Sequence, residues 1–442
     1  MRHLPTCTAF ILLSAGLANA ATPRVVITSP DNGEIDVAPD LKEIRVEFDQ
    51  PMDSRGHSIV GGGDNFPSIS GELKWFDNKT FVIPVNLQPE HQYQLSINSD
   101  TFKGFCSEGG QAAEWYPLAF RTRAAGAAPA KSSVTPEQNK RALAALGQAI
   151  DQDYAYRDMP RIDWAKEIAR RRQQFENARS ANEFARLAAP LLRLAEDAHV
   201  WVEAADVRIA TRVNSELPNF NIQWLQHAVP QWAQASGGIV TGRFDGGIDY
   251  VAFSQCSNQQ ADAFDKVLDG LHDSKALVLD ARFNGGGDET AAQRVAGRFV
   301  QKAAVYSRDR TREGGKWAGP FDRVIEPRQE AKSYTMPVAV LIGPKIASSA
   351  ESFVLMMKCG AKATLVGGVT SGSSGRPMPH DLGNGVTVYL SSWEDQLPDG
   401  TLLQNHGVRP DIAVEAIPGN LKNSDPVLEA AIKALRADGA GR

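Results

Sequence analysis

In this chain of 442 residues, Ser348 is the first candidate for chemistry on a carbonyl group, because of its residue type and its surroundings. It lies between an apolar run that ends at Gly343 and a helical pattern, so its hydroxyl is expected at a helix N-terminus. The helix dipole and the free N–H groups there stabilise negative charge. This position suits a serine nucleophile, but the local sequence alone favours a capping box made by Ser348 and Glu351.

A glycine loop, Asn284-Gly285-Gly286-Gly287, is the second such segment, and it directly follows a short apolar run. Consecutive glycines let the backbone approach a substrate closely and offer N–H groups to a developing oxyanion. The loop fits neither G-x-x-x-x-G-K nor G-x-G-x-x-G, so it does not predict a phosphate site. The simpler interpretation is a flexible connection.

His199 is the third candidate, because a histidine titrating near neutrality is the usual proton shuttle for a serine nucleophile. His380 and His406 are the alternatives, and a satisfied core histidine is the simpler interpretation. The sequence contains neither C-x-x-C nor H-E-x-x-H, so we predict no metal site and no cofactor.

Taken in order, these segments resemble the carboxy-terminal-processing (tail-specific) serine protease superfamily. The resemblance rests on Asp-Ala-His at 197–199, Leu-Val-Leu-Asp-Ala-Arg-Phe-Asn-Gly-Gly-Gly at 277–287 and Ala-Val-Leu-Ile-Gly-Pro-Lys-Ile-Ala-Ser-Ser-Ala-Glu-Ser-Phe at 339–353. It covers residues 140–435 and implies a ClpP/crotonase-like α/β fold. It also implies that Ser348 is the nucleophile and that the N–H of Ser349, with that of Gly286 or Gly287, forms the oxyanion hole.

The identity of the base separates two branches of this superfamily. The processing proteases use a lysine in the turn after the third strand, but here residues 368–375 contain no lysine and have Ser373 near that place. Arg376 cannot replace the lysine because a guanidinium stays protonated. The chain is more similar to the branch of the tricorn core protease and interphotoreceptor retinoid-binding protein, which implies His199 as the base.

Two positions depart from the tricorn pattern. Ala198 stands where a serine precedes the histidine, and Gln404 stands where a glutamate is expected. A neutral amide can orient an imidazole but cannot stabilise imidazolium as a carboxylate does. Gln404 is therefore predicted at most to orient His199, and Glu394 and Asp395 remain open as substitutes.

The elements that position these residues predict a multidomain fold. Ile44, Val46 and Phe48 alternate with charged residues and indicate a half-buried strand. The surrounding segment is similar to the bacterial Ig-like domains of secreted enzymes. Further along, apolar runs at 276–280, 337–343 and 363–368 alternate with helical patterns at 288–301 and 348–358, as in an α/β core. We predict a signal peptide at 1–20, an all-β Ig-like sandwich at 24–122, a linker at 123–134, a helical subdomain at 135–200 and an α/β serine-peptidase core at 201–436.

Residues 1–20 have the pattern of a signal peptide for export. Arg2 and His3 precede an apolar run too short to span a membrane, and Ala18-Asn19-Ala20 offers a cleavage site. A periplasmic or secreted protein is expected, with three cysteines after cleavage, Cys106, Cys256 and Cys359. The net charge of −5 provides no field to gather nucleic acid.

The predicted function is that of an exported serine-type peptidase acting on a protein or peptide substrate, with no membrane span and with the oligomeric state open. The alternative is a protein on the same scaffold that binds a peptide or an apolar ligand without turnover.

Overall fold

A computed structural model describes residues 22–99, 102–128, 134–159, 161–204, 207–212, 217–416 and 421–440. The predicted signal peptide lies outside the described residues, as does part of the predicted linker. No helix in the described part of the chain is long and apolar enough to cross a membrane.

In the part of the chain that the structure describes, nine strands come first and form an N-terminal β domain, followed by three helices. The strands are β1 (Val25–Ser29), β2 (Glu34–Val37), β3 (Glu43–Phe48), β4 (Ile59–Val60), β5 (Ser68–Ile69), β6 (Lys74–Trp75), β7 (Thr80–Asn86), β8 (Gln92–Ile97) and β9 (Tyr116–Thr122). The helices are α1 (Pro136–Asp153), α2 (Trp164–Glu176) and α3 (Ala181–Leu192), with a 3₁₀ turn at Arg193–Ala195.

The remaining elements alternate between strands and helices. They are β10 (Trp201–Ala204), β11 (Val207–Ala210), α4 (Ile222–Ala228), β12 (Ala233–Gln234), β13 (Val240–Phe244), β14 (Ile248–Ala252), α5 (Asn258–Asp269), β15 (Ala276–Asp280), α6 (Glu289–Ala296), β16 (Ala304–Glu313), β17 (Lys316–Ile325), β18 (Val338–Ile342), α7 (Ser349–Cys359), β19 (Thr364–Gly367), β20 (Pro377–Asp381), β21 (Val386–Ser391), β22 (Trp393–Gln396), β23 (Ile412–Ala413) and α8 (Pro426–Ala440). A second 3₁₀ turn lies at Ser236–Gly238.

The β domain consists of two sheets that share one apolar core. One has the order β1-β3-β7-β5, with β6 also paired to β7, and the other has the order β2-β9-β8-β4. Ile44, Val46 and Phe48 of β3 are buried in that core, as their period of two predicts. The expectation of a strand-rich N-terminal region is therefore confirmed.

The three helices after the β domain cover one face of a four-stranded sheet with the order β11-β10-β21-β20. Helix α1 begins where the sequence predicts, because Thr135 and Gln138 form a capping box and Pro136 occupies the first turn. Helix α3 packs against β10, and β10 directly follows His199. This layer thus fixes the position of the histidine segment.

A seven-stranded sheet with the order β12-β13-β14-β15-β18-β19-β23 forms the α/β core. From β14 to β23 all neighbouring strands run parallel. Helices α5, α6 and α7 pack on one face, and α4 and α8 pack on the other. Both faces of the central strands are therefore buried, which explains why those strands read as continuous apolar runs. The predicted mixed α/β core is confirmed.

Most of the predicted elements of the core occur within a residue or two. The strand at 276–280 has the predicted bounds, and β18 and β19 are each shorter than the run that indicated them. The helix predicted at 288–301 ends at Ala296, because Gly297 caps it. Cys106, Cys256 and Cys359 are all free thiols.

Candidate active site

Three loops meet at the carboxyl edge of the parallel sheet. They are residues 281–288 after β15, residues 343–348 after β18 and residues 368–376 after β19. These strands are direct neighbours in parallel register, so their carboxyl ends lie side by side. Side chains in the three loops are thereby brought together at the usual ligand-binding edge of an α/β sheet.

Ser348 stands at the N-cap of α7 with an unusual backbone, φ 56° and ψ −133°. Its side chain makes no capping hydrogen bond. Its N–H donates to the carbonyl of Ser373 at 2.8 Å. The capping-box interpretation is therefore wrong: the left-handed φ keeps the hydroxyl off the helix N–H groups, and the Glu351 side chain bonds to another loop.

The glycine loop lies directly against Ser348. A Cβ added to Gly286, whose φ is +109°, would lie 2.9 Å from the Cβ of Ser348 and 3.3 Å from the N atom of Ser349. The Ser349 hydroxyl donates to the carbonyl of Gly287 at 2.7 Å. Ser348, Ser349 and both glycines are thus neighbours, and only a residue without a side chain fits at Gly286.

Within this loop the N–H of Gly286 donates to Oδ1 of the buried Asn284 at 2.9 Å. Ser349 is the first residue of α7, so its N–H has no acceptor one turn earlier in the helix. Among the N–H groups predicted to bind an oxyanion, that of Gly286 already donates a hydrogen bond within the protein.

His199 reaches the same place from the helical layer. Its Nδ1 lies 3.2 Å from the hydroxyl of Ser373, the residue whose carbonyl binds Ser348. The side chain is 13% exposed, and burial lowers its pKa below the ordinary value of 6.5, with the charge of Arg208 adding to the effect and that of Asp197 opposing it. The ring is therefore neutral at neutral pH and can accept a proton.

Asp197 is a buried acid that the sequence did not single out. Its Oδ1 accepts the N–H of His199 at 2.8 Å and lies 4.0 Å from Nδ1 of that ring. Its Oδ2 accepts the hydroxyls of Ser391 at 2.7 Å and Tyr154 at 3.2 Å. The Asp-Ala-His motif contained this residue, but its hydrogen bonds to distant residues have no local signal.

Gln404 bonds to the loop beside Ser373. Its side-chain oxygen accepts the N–H of Ser374 at 2.9 Å, and the Ser374 hydroxyl in turn lies 3.3 Å from the buried Asp395. Asp395 also pairs with Arg323 at 3.0 Å.

The two alternative histidines make other contacts. His406 Nδ1 lies 3.0 Å from the carbonyl of Gln404, and His380 Nδ1 lies 3.7 Å from Asp153.

A buried ion cluster supports the glycine loop from beneath. Arg282, wholly buried, pairs with Asp280 at 2.7 Å and with Asp425 at 2.9 Å, and its Nη1 donates to the carbonyl of Asn219. Tyr250 donates its hydroxyl to Asp280 at 2.9 Å. Since Asp425 immediately precedes α8, this cluster ties the C-terminal helix to the loop that carries Gly286.

Comparison with known proteins finds a peptidase family over most of the α/β region. Residues 247–414 match the model of peptidase family S41. The carboxy-terminal processing protease CtpB of Bacillus subtilis (strain 168) is 26% identical over 170 residues, which is 38% of this chain and 34% of that protein. The chain thus spans about a third of the length of this curated relative.

Two solved structures share the fold. A candidate peptidase from Parabacteroides merdae ATCC 43184 aligns with a TM-score of 0.60 at 23% identity, covering 70% of this chain and 99% of that one. Mature CPAF aligns with a TM-score of 0.51 at 12% identity, covering 68% and 97%.

By its fold and these matches, the α/β region is similar to serine peptidases. Within that class, residues 247–414 are similar to peptidase family S41, which confirms the resemblance to the carboxy-terminal-processing proteases.

Proposed function

We propose that the protein is a serine-type peptidase that hydrolyses peptide bonds, with Ser348 as nucleophile and His199 as general base. The observation that carries this proposal is the double contact of Ser373. Its carbonyl accepts the N–H of Ser348, and its hydroxyl lies 3.2 Å from the ring of His199. Ser373 therefore contacts both the backbone of the proposed nucleophile and the ring of the proposed base.

The reaction proceeds by acyl transfer. Ser348 Oγ attacks the substrate carbonyl while His199 takes the hydroxyl proton, and the proton then goes to the leaving amine as the C–N bond breaks. A water molecule, deprotonated by the same imidazole, then attacks the acyl group; the bond from the acyl carbon to Ser348 Oγ breaks, and the imidazolium returns the proton to that oxygen. Burial favours this cycle because it keeps His199 neutral before the attack.

The oxyanion is assigned to the N–H groups of Gly287 and Ser349. The N–H of Gly286 already has an acceptor in Asn284, and donors that are free of other bonds stabilise developing charge best. Gly286 instead provides space, since its missing Cβ leaves room beside the Cβ of Ser348.

Asp197 supplies the charge that the tricorn pattern assigns to a glutamate. At 4.0 Å from Nδ1 it is too distant for a hydrogen bond but close enough to stabilise imidazolium. Its charge opposes the effect of burial on the pKa of His199. Gln404 then has a secondary role, holding the loop through Ser374.

A histidine base assigns the protein to the tricorn-like branch, and the absence of lysine from residues 368–375 supports the same assignment. The N-terminal β domain is proposed to be an Ig-like module that positions substrate, on the basis of its two sheets around one core. The predicted leader at 1–20 supports export to the periplasm or beyond.

A fluorophosphonate probe, which labels only activated serines, tests the proposal on the full chain. We expect wild type to be labelled, and Ser348→Ala and His199→Ala to lose labelling while retaining the circular dichroism spectrum of wild type. Absence of labelling in folded wild type would contradict the peptidase proposal and favour the ligand-binding alternative. Labelling retained in His199→Ala would contradict the assignment of the base.

A further inference from the structure

Ser373, whose hydroxyl meets the ring of His199, is also bound by the buried carboxyl group of Glu351. Glu351, one turn into α7, is fully buried. It accepts the N–H of Gly372 at 2.8 Å and that of Ser373 at 2.8 Å, and it also accepts the hydroxyl of Thr370. The side chain thus fastens residues 370–373 to the helix that begins beside the nucleophile.

Ser373 consequently has three fixed contacts. Its N–H is bound to Glu351, its carbonyl to the N–H of Ser348, and its hydroxyl to Nδ1 of His199. A serine bound through both backbone groups presents its hydroxyl from a defined position. The ring of His199 meets this hydroxyl within hydrogen-bond distance, whereas the carboxylate of Asp197 lies further away.

We propose that Ser373 is the positioning residue of His199 and that Glu351 holds it in place. The inference rests on the proposed function, because positioning matters only if His199 is the base. The Ser373 hydroxyl oxygen accepts a hydrogen bond from Nδ1–H of His199, so that the proton stays on Nδ1 and Nε2 remains unprotonated for Ser348. A neutral imidazole has one donor and one acceptor nitrogen, and the partner of the first decides which nitrogen is the second.

The location of Ser373 agrees with this role. It stands near the place where the processing proteases carry their lysine base, and a hydroxyl there cannot take a proton from Ser348. The chain therefore uses this loop to orient a base supplied by another layer of the fold, residue 199, which is 174 positions earlier.

The electrostatics of Glu351 make the loop sensitive to pH as well. Burial, with the charge of Asp395 adding to it, raises the pKa of Glu351 to about 7, although the bonds from Thr370, Ser373 and Gly372 oppose this rise. Asp395 lies on β22 and is paired with Arg323. Ser373 connects Glu351 to His199, since its N–H donates to Glu351 and its hydroxyl lies within hydrogen-bond distance of the ring.

Four single-residue variants of the full chain test the proposal: Ser373→Ala, Ser373→Thr, Glu351→Gln and Val369→Ala. Ser373→Thr keeps a hydroxyl at this position. Val369→Ala is a control in the same loop, because Val369 is 40% exposed. Two readouts are used, the rate of labelling by the fluorophosphonate probe across pH and the ring ¹⁵N shifts of His199 in protein labelled with ¹⁵N-histidine. The His199 signal is assigned by its loss in His199→Ala.

We expect Ser373→Ala to slow labelling about tenfold, the effect of one lost hydrogen bond, and to move the ring shifts away from the Nδ1–H tautomer. Ser373→Thr should retain the labelling rate and the ring shifts of wild type, and Val369→Ala should also leave both unchanged. Glu351→Gln should slow labelling several-fold and remove the inflection that Glu351 contributes near pH 7, because an amide does not titrate, while the acid limb due to His199 remains.

The possible outcomes distinguish a failure of the positioning role of Ser373 from a failure of the peptidase proposal. If wild type is labelled at Ser348 and Ser373→Ala has the rate and ring shifts of wild type, the positioning role is wrong and the peptidase proposal stands. If wild type is not labelled, the peptidase proposal fails and the positioning role fails with it. Altered labelling with unaltered ring shifts would also overturn the positioning role, since it would show a merely structural effect.

Discussion

At the scale of single residues, the reactivity proposed for Ser348 depends on the residues immediately around it. Its φ of 56° directs the side chain away from the helix N–H groups, and the glycine loop leaves space beside it. A non-glycine residue held at positive φ is uncommon, and it persists only where surrounding contacts fix it. Here the bond from its N–H to Ser373 is such a contact.

Gly286→Ala tests the close approach of the glycine loop. A Cβ at this position would lie 2.9 Å from both the carbonyl oxygen of Ala347 and the Cβ of Ser348, so we expect labelling by the fluorophosphonate probe to fall at least about tenfold. Gly285→Ala is the matched control, because a Cβ there has no heavy atom within 4 Å. Equal labelling of the two variants would show that the loop does not approach the nucleophile.

Asp197→Asn tests the charge behind the imidazole. The Asp197 carboxylate raises the pKa of His199, so its removal should lower that pKa and shift the acid limb of the pH–labelling profile to lower pH. The labelling rate should fall by about tenfold or more, since imidazolium loses its counter-charge. Stopped-flow labelling between pH 5 and 9 measures both effects, and an unshifted acid limb would remove Asp197 from the proposed site.

The sequence predicts the proposed nucleophile and the glycine loop more directly than the residues that support them. Ser348 and the glycine loop follow strands whose apolar runs are visible locally, so their convergence could be predicted from parallel-sheet geometry. The contact between Ser373 and His199 joins residues 174 positions apart, and that between Asp197 and Ser391 joins residues 194 apart. Such pairs have no periodic signal, which is why Asp197 was missed and Glu351 was interpreted as a cap.

At the scale of elements, the site depends on loops fixed by buried charge. Arg282, Asp280 and Asp425 connect β15 to the start of α8 with no exposed atoms on the arginine side chain. Buried ion pairs contribute little net stability when intact, but removing one partner leaves an uncompensated charge in a low dielectric. Their effect on the loop is therefore best revealed by breaking the cluster.

Arg282→Met should destabilise the protein by about 3–5 kcal/mol, because it leaves two buried carboxylates without a cation. The free energy of unfolding in urea measures this change. Arg308→Ala is the control, since Arg308 and Asp322 pair on the surface with side chains 42% and 51% exposed, where such a pair contributes about 1 kcal/mol or less. A similar small loss of unfolding free energy in both variants would mean that the buried cluster is no more important for stability than the surface pair.

At the scale of the whole molecule, the β domain contacts the peptidase region through the helical layer. Asn182 and Arg186 of α3 bond to the carbonyl of Gly33 and to Asp31, and Ile209 of β11 packs against Gly33. A cavity of about 720 Å³ lies along this junction, and its lining includes Trp115 from the β domain but none of the site residues. The junction therefore holds the β domain against the helical layer, and the cavity along it lies away from the candidate site. The division of the chain into the five predicted parts stays a prediction.

Gly33→Ala tests whether the junction is rigid and separate from the site. A Cβ at Gly33 would lie 2.4 Å from Ile209, so the variant should lose about 1–3 kcal/mol more unfolding free energy than Gly63→Ala. Gly63 is the matched control because its φ is also positive, +73°, while its surroundings are open. Labelling of Ser348 should be unchanged in both variants, since no junction residue touches the nucleophile or its base. A loss of labelling in Gly33→Ala alone would show that the β domain acts on the site through α3 and β10, the two elements that lead from Gly33 to His199.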